Sequence, residues 1–188
     1  MKQSELIDYL KDLLKTGERK IIAIDGRCAS GKTTFAEIIK DNIDCDVVHT
    51  DDFFLPPDKR TEERLSTPGG NIDFERLLSE ILIPLKNGQD YIYKKFSCKT
   101  QSFSKGERIT PQNITIVEGS YSCHPELFPY CDLHIFLDID SATQRERIMS
   151  RNKDNAHVFF FKWIPLEEMY FNELYIQNKC EIILSQEG

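Results

Sequence analysis

The stretch Gly26-Arg27-Cys28-Ala29-Ser30-Gly31-Lys32-Thr33 decides the fold of this chain, because it matches the pattern G-x-x-x-x-G-K-[ST] in full. The apolar run at 20–24 before it predicts a buried strand, and the apolar spacing at 35–39 after it predicts a helix. A glycine-rich turn between a strand and a helix lets backbone N–H groups surround a phosphate. We therefore predict a nucleoside triphosphate site in this loop.

The residues of the loop have separate predicted roles. Gly26 and Gly31 permit backbone angles that are closed to other residues. Lys32 supplies a charge for the β- and γ-phosphates, and the Thr33 hydroxyl is available to Mg²⁺. ATP and Mg²⁺ are therefore the expected cofactors. The predicted phosphate-binding set is Gly26, Ala29, Ser30, Gly31, Lys32, Thr33 and Thr34. Because a helix N-terminus can lower a thiol pKa, oxidation sensitivity of Cys28 is a second hypothesis beside a role as a small spacer.

Composition limits the class of protein. The 188 residues carry 24 basic and 31 acidic side chains, which predicts one domain over 1–188 and disfavours a general nucleic-acid surface. No apolar run is long enough for a transmembrane helix, and the charged N-terminus does not resemble a signal peptide. The six cysteines form no C-x-x-C motif, so we expect reduced thiols, no zinc site and a cytoplasmic protein.

The rest of the chain alternates predicted strands with predicted helices. Helices are expected at 4–16, 74–82, 141–150 and 165–178, and strands at 20–24, 46–49, 114–117, 133–137 and 181–184. Pro84 should end or kink the second of these helices. Loop chemistry dominates 56–71, and alternating aromatic and polar residues at 91–103 predict a small hairpin. This order predicts an α/β fold, a parallel sheet covered by helices on both faces.

Three acidic positions follow predicted strands or precede a helix. Asp51, first of an adjacent pair with Asp52, can accept the proton of an attacking hydroxyl, although either residue can also cap a turn. Glu118 can hold Mg²⁺ directly or through water. The predicted metal set is Thr33, Glu118 and Asp51. Asp73 precedes an apolar helix, and it is either an N-cap or a carboxylate that chelates substrate hydroxyls.

A basic cluster stands out in this acidic chain. Residues 145–153 contain four cations and one anion. Arg147 and Arg151 suit a lid whose guanidinium groups bind phosphate oxygens and exclude water. The alternative is that these cations face the negative end of a helix dipole.

The same features separate the function classes. A GTPase would need an N-K-x-D motif, and neither Asn-Lys string, at 152–155 or 178–181, has Asp in its fourth place. The size of the chain disfavours a large mechanical ATPase. Among enzymes, the sequence therefore favours a small kinase that transfers a γ-phosphate to a metabolite. A nucleotide-binding regulatory module is the alternative from a different class.

Five segments resemble one family of P-loop kinases. They are 26–33, Thr-Asp-Asp-Phe-Phe at 50–54, Asn-Ile-Asp-Phe-Glu-Arg-Leu-Leu at 71–78, 117–127 and the Arg-rich 132–151. Together they resemble the uridine kinase and phosphoribulokinase group, which also contains nicotinamide riboside kinase and bacterial pantothenate kinase. The resemblance runs from about Lys20 to Leu184. The loop is common to many families, whereas its combination with D-[DS]-F-[FY] and E-G is more specific.

This resemblance implies a fold and a set of roles. The fold is a three-layer α/β/α P-loop fold with five parallel strands in the order 2-3-1-4-5, a lid at about 147–160 and a substrate-binding insert at about 88–110. Asp51 and Lys32 are implied as catalytic, and Glu118 as the acid near Mg²⁺. The implied substrate-binding set is Asp51, Phe54, Asp73, Phe96 and Arg147, with Arg147 and Arg151 in the lid.

One departure from the family concerns the acceptor. Uridine kinases usually carry Tyr-Asp-Phe where this chain has Lys94-Lys95-Phe96. The two lysines favour an anionic acceptor, unless they are solvent-facing residues of an alternating strand. We expect a kinase for a nucleoside-like hydroxyl, as for uridine or cytidine; pantothenate, a sugar, a sugar phosphate or nicotinamide riboside are alternatives. The expected partner is this small molecule, without nucleic acid or membrane, and the resemblance permits homo-oligomers.

Overall fold

The computed structural model describes residues 3–185, which form one central sheet with helices on both sides. The strands are β1 (Lys20–Gly26), β2 (Cys45–His49), β3 (Tyr91–Tyr93), β4 (Phe96–Ser97), β5 (Ser102–Phe103), β6 (Glu107–Ile109), β7 (Ile114–Glu118), β8 (Leu133–Asp138) and β9 (Ile182–Ser185). The helices are α1 (Gln3–Lys15), α2 (Lys32–Asn42), α3 (Glu62–Leu65), α4 (Phe74–Leu77), α5 (Ile83–Lys86), α6 (Ser141–Arg151), α7 (Ala156–Val158), α8 (Ile164–Leu174) and α9 (Ile176–Lys179). Within 3–185, none is both long and apolar enough to cross a membrane.

The sheet has the predicted topology. Its order is β2-β7-β1-β8-β9 with every pair parallel, which is 2-3-1-4-5 when only these five strands are numbered. Buried apolar residues dominate the central strands because helices cover both of their faces. Ile22 and Ile24 of β1 pack towards α1 and α2, whereas Ile21 and Ala23 pack towards α4 and α8. The three-layer α/β/α prediction is therefore confirmed.

The helix that begins at Phe74 differs from its prediction. It does not end at Pro84 but runs through a π-helical turn, Leu78–Leu82, into α5. Pro84 lies in the first turn of α5, where its missing N–H costs little because the π turn already interrupts the regular hydrogen bonds. Two further boundaries differ. The predicted loop 56–71 contains α3, and the predicted helix 165–178 is divided at Tyr175, whose φ is 53°.

The predicted hairpin is longer than 91–103. β3 pairs antiparallel with β6, and β4 pairs with β5 further out, so the arm spans 91–109. The rings of Phe96 and Phe103 lie 5.1 Å apart where β4 meets β5. An arm joined to the domain by its two ends can orient residues beside the carboxyl ends of the parallel strands.

Replacing Gly26 by alanine should strongly destabilise the fold. Gly26 has a φ of 136°, and a Cβ there would lie 2.1 Å from the carbonyl oxygen of Leu137 on β8. Backbone cannot move aside cheaply, so we expect a loss on the order of 3 kcal/mol in the free energy of unfolding. Urea denaturation measures this. Gly17→Ala is the control, because Gly17 has a φ of 71° and an open surrounding space. Equal losses in the two variants would contradict the clash.

His124 should make the stability of the protein fall in acid. Its ring stacks on Phe74 at 4.0 Å, and burial lowers the pKa of His124 to about 4. Because the unfolded chain binds this proton near pH 6.5, stability is lost as the pH falls from about 6.5 towards 4, by on the order of 2 kcal/mol. Denaturation of His124→Gln across this range should lack that loss. His157→Gln, at an exposed position, should retain it. Identical pH profiles for wild type and His124→Gln would refute the assignment.

Candidate active site

A cleft of about 1020 Å³ opens where β1, β2 and β7 end, and the loop 26–33 forms one wall of it. Three loop residues have positive φ angles, 136° at Gly26, 62° at Ala29 and 94° at Gly31. Gly31 directly precedes α2, whose first N–H groups have no partners within the helix. The hydroxyl oxygen of Ser30 is buried and has no partner within the described part of the chain. This concave loop presents donors to an anion.

Lys32 lies across the loop. Its side chain is only 8% exposed, and its Nζ donates to the carbonyl oxygens of Gly26 at 2.6 Å and Arg27 at 2.9 Å. Lys32 also lines the cleft. The ammonium group is thus held over the loop that the motif assigns to phosphate.

Residues of α8 hold the outer part of the loop. Glu167 is 5% exposed and accepts the N–H of Cys28 at 2.9 Å and the hydroxyl of Ser120 at 2.6 Å. Burial raises the pKa of Glu167, and Lys32 partly opposes that rise. Glu168 accepts from Nε of Arg27 at 2.7 Å. No sequence motif marked either glutamate, because their partners in the loop, Cys28 and Arg27, lie 139 and 141 residues earlier in the chain.

The pKa of the Cys28 thiol differs from the hypothesis of oxidation sensitivity. The N-terminus of α2 was expected to lower its thiol pKa, but burial, reinforced by the nearby Glu167 carboxylate, raises the pKa of Cys28 to about 12. The thiol therefore stays protonated near neutral pH. The favourable field of a helix end is outweighed because the thiol is desolvated beside an acid.

Glu118 contacts one predicted site residue, Thr33, and one residue that was not predicted, His49. It is 3% exposed, and its Oε1 lies 3.1 Å from the hydroxyl of Thr33 and 2.5 Å from Nδ1 of His49. The hydrogen bond to Glu118 raises the pKa of His49, although burial of the ring opposes this. Sequence reasoning missed His49, because it ends a strand without belonging to a motif.

Asp51 lines the cleft and is exposed to solvent there. It belongs to the short 3₁₀ turn Thr50–Phe53 that follows β2. Desolvation raises its pKa, Lys32 lowers it, and Glu118 and Asp52 raise it again. A carboxylate with a raised pKa is a better proton acceptor than an ordinary surface aspartate.

Asp52 has partners in the arm instead. Its Oδ2 accepts the hydroxyl of Tyr93 at 2.7 Å and lies 3.2 Å from Nζ of Lys95. Tyr93 in turn accepts the N–H of His49 at 2.9 Å. Lys95 is therefore an ion-pair partner of Asp52. The side chain of the neighbouring Lys94 is exposed, as the alternating-strand alternative expects.

The other predicted substrate residues are divided between the cleft and its surroundings. Phe54 lines the cleft, and its ring lies 6.0 Å from that of Trp163. Phe96 is buried against Phe103 and is not part of the cleft wall. Asp73 is 1% exposed and caps α4, accepting the N–H of Arg76 at 3.1 Å.

Asp73 also has an ionic partner. Its Oδ2 lies 2.8 Å from Nζ of Lys59. The contacts of Asp73 in this structure are thus those of the capping alternative.

The two predicted lid arginines reach the cleft differently. Arg147 donates to the carbonyl oxygen of Ala29 at 3.3 Å, which brings α6 against the phosphate-binding loop. Arg151 lines the cleft itself. After them, the π-helical turn Phe159–Trp163 brings aromatic residues to the same cleft.

Comparison with solved structures identifies the fold. A possible uridine kinase from Bacillus stearothermophilus superposes with a TM-score of 0.71 at 22% identity, over 96% of this chain and 98% of that one. The chain has the fold of the P-loop kinases. A protein provisionally named a fructose transport system kinase, from Silicibacter sp. TM1040, has this fold too, with a TM-score of 0.68, 19% identity and coverage of 98% and 99%.

The likeness to P-loop kinases is a likeness of structure. YFH7 from Saccharomyces cerevisiae, provisionally described as a P-loop containing kinase with a circular permutation, has a TM-score of 0.65 at 13% identity and covers both chains fully. No family model and no curated protein sequence matches the chain. Identities this low establish the shared P-loop kinase fold and leave the acceptor open.

Proposed function

We propose that this protein is an ATP-dependent kinase that transfers the γ-phosphate to a hydroxyl of a small, nucleoside-like acceptor. One observation carries the proposal: the Asp51 carboxylate lies in the same cleft as Lys32 and the Thr33–Glu118 pair. A phosphate-binding loop alone is compatible with many activities. A carboxylate in the same cleft supplies the proton acceptor that a kinase needs and that a nucleotide sensor does not.

The residues of the cleft fit ATP and Mg²⁺. The unpartnered buried hydroxyl of Ser30 and the N–H groups at the start of α2 are donors suited to phosphate oxygens. The hydroxyl of Thr33 and the carboxylates of Glu118 and Asp51 are oxygen donors, which Mg²⁺ prefers. When bound, the ion would neutralise charge on the phosphates.

Asp51 would act on the acceptor. Its carboxylate accepts the hydroxyl proton while the acceptor oxygen bonds to the γ-phosphorus and the bond to the β–γ bridging oxygen breaks, leaving ADP. Lys32 neutralises charge on the migrating group. The raised pKa of Asp51 favours this proton transfer.

Two further elements complete the proposal. Residues 147–160 would act as a lid, with Arg147 and Arg151 binding phosphate oxygens and excluding water, which competes with the acceptor hydroxyl. The arm within 88–110 would hold the acceptor side of the cleft. The contact of Arg147 with Ala29 supports the lid assignment, because it already brings α6 to the loop.

An ADP-release assay tests this function. The protein is given Mg·ATP and a panel of nucleosides, vitamins, sugars and sugar phosphates, with Lys32→Ala as the blank. Turnover that depends on one acceptor and on Lys32 would support the kinase. Tight ATP binding without turnover of any acceptor would contradict it and favour the regulatory module.

A further inference from the structure

The segment 59–76 beside the cleft contains one cation that has no ion-pair partner among residues 3–185. Four cations occur between residues 59 and 76. Three of them form ion pairs: Lys59–Asp73 at 2.8 Å, Arg64–Glu75 at 2.8 Å and Arg76–Glu80 at 3.5 Å. The fourth, Arg60, forms none with any residue between 3 and 185, and it lines the cleft.

Hydrogen bonds to the backbone hold Arg60 near the cleft wall that we assign to the acceptor. Its Nε donates to the carbonyl oxygen of Leu55 at 2.8 Å, and the N–H of Leu55 donates to the carbonyl oxygen of Asn71 at 2.9 Å. Phe54, which precedes Leu55, lies only three residues after Asp51 in the chain. Arg60 and Asn71 are therefore held together on the wall that continues from the proposed proton acceptor.

Asn71 supplies a second unused donor. Its side-chain Nδ2 is buried and has no hydrogen-bond partner among the described residues, and Asn71 lines the cleft. A buried donor without a partner is costly and indicates a group that binds there. Because Nε of Arg60 is already used, its four terminal N–H groups remain available as a planar fork.

We propose that Arg60 and Asn71 form a subsite for an anionic group, carboxylate or phosphate, on the acceptor. Nδ2 of Asn71 and the terminal N–H groups of Arg60 are donors, and the guanidinium carries a full positive charge, which favours an anion over a neutral amide or hydroxyl. The inference rests on the proposed phosphoryl transfer from ATP, and it replaces the nucleoside-like acceptor by one that carries an anionic group, a hydroxylated acid or a sugar phosphate. Lys94 and Lys95, the cations suggested by sequence, are not needed for this role.

Matched probes separate the charge from the rest of the acceptor. Fructose 6-phosphate against fructose tests phosphate, and pantothenate against pantothenol tests carboxylate. Trp163, the single tryptophan of the chain, lines the cleft, so its fluorescence reports binding without turnover. We expect the charged member of at least one pair to bind about tenfold more tightly than its neutral partner.

Variants of Arg60 test whether this residue causes the preference for charged probes. Arg60→Gln should remove the preference, and Arg60→Lys should retain part of it, because an ammonium keeps the charge but not the fork. Arg19→Gln is the matched control and should leave the preference unchanged, since Arg19 is exposed and precedes β1, at the end of the sheet opposite the cleft. Circular dichroism should confirm that all three variants are folded.

The possible outcomes distinguish this inference from the kinase proposal. Equal affinities within both pairs, binding of neither charged probe, or a preference that survives Arg60→Gln would overturn the anionic subsite. Turnover of neutral acceptors alone would overturn it as well, while leaving the kinase intact. A preference for charged probes that depends on Arg60 would support it, even if no probe were phosphorylated.

Discussion

Lys32→Ala should lower kcat/KM for phosphoryl transfer by about a thousandfold or more, because it removes the positive charge held over the phosphate-binding loop. In the structure Nζ of Lys32 contacts two loop carbonyls, at 2.6 and 2.9 Å, so the ammonium is positioned before any nucleotide binds. Steady-state ADP release with the best acceptor measures the effect. ATP affinity should fall too, because ground-state phosphates share this contact.

The control for Lys32 is an exposed lysine of the arm. Lys94→Ala changes the net charge equally but removes a side chain that faces solvent. We expect its kcat/KM to stay within about threefold of wild type. A loss below tenfold in Lys32→Ala, or the same loss in Lys94→Ala, would mean that the loop does not bind the reacting phosphates as proposed.

Asp51→Asn should lower kcat by about a hundredfold to ten-thousandfold and leave ATP affinity within about threefold of wild type. An amide cannot accept the hydroxyl proton, although it fills the same space. ATP binding survives because the loop and Lys32, rather than Asp51, hold the phosphates. Separate measurement of kcat and of nucleotide affinity by titration provides the test.

Asp52→Asn is the matched control for Asp51. It makes the same chemical change at the adjacent residue, but Asp52 binds Tyr93 and Lys95 of the arm. We expect it to raise the acceptor KM more than it lowers kcat, since the arm would hold the acceptor less well. Equal effects of the two variants on kcat would argue against a proton-accepting role that is special to Asp51.

The strand–loop–helix unit at residues 20–42 was predictable because it is local. Two glycines, a lysine and a threonine in fixed spacing between two apolar runs admit few other conformations. The sheet order 2-3-1-4-5 was also expected, and the structure has it. The alternation of strands and helices predicted a parallel sheet, and the order of its strands came from the family resemblance.

The surroundings of the site were less predictable. Glu167 reaches the loop residue Cys28 across 139 positions of sequence, and His49 reaches Glu118 across 69. Neither belongs to a motif, and both follow from how α8 and β2 pack beside β7 and the loop. The resemblance implies substrate contacts for Asp73 and Phe96, and only the structure gives their contacts within the protein: Asp73 caps a helix, and Phe96 packs inside the arm.

What the sequence by itself determined is therefore the run of strands and helices, the conformation of the loop at 26–33 and the acids that follow the strands, since each depends on neighbouring residues and on backbone geometry. Only the tertiary structure decided which charges are neutralised. It paired Lys95 with Asp52 and Lys59 with Asp73, and it left Arg60 in the cleft without a carboxylate. Ion pairing depends on distances between side chains that are far apart in sequence or on separate loops, and only the folded chain sets those distances.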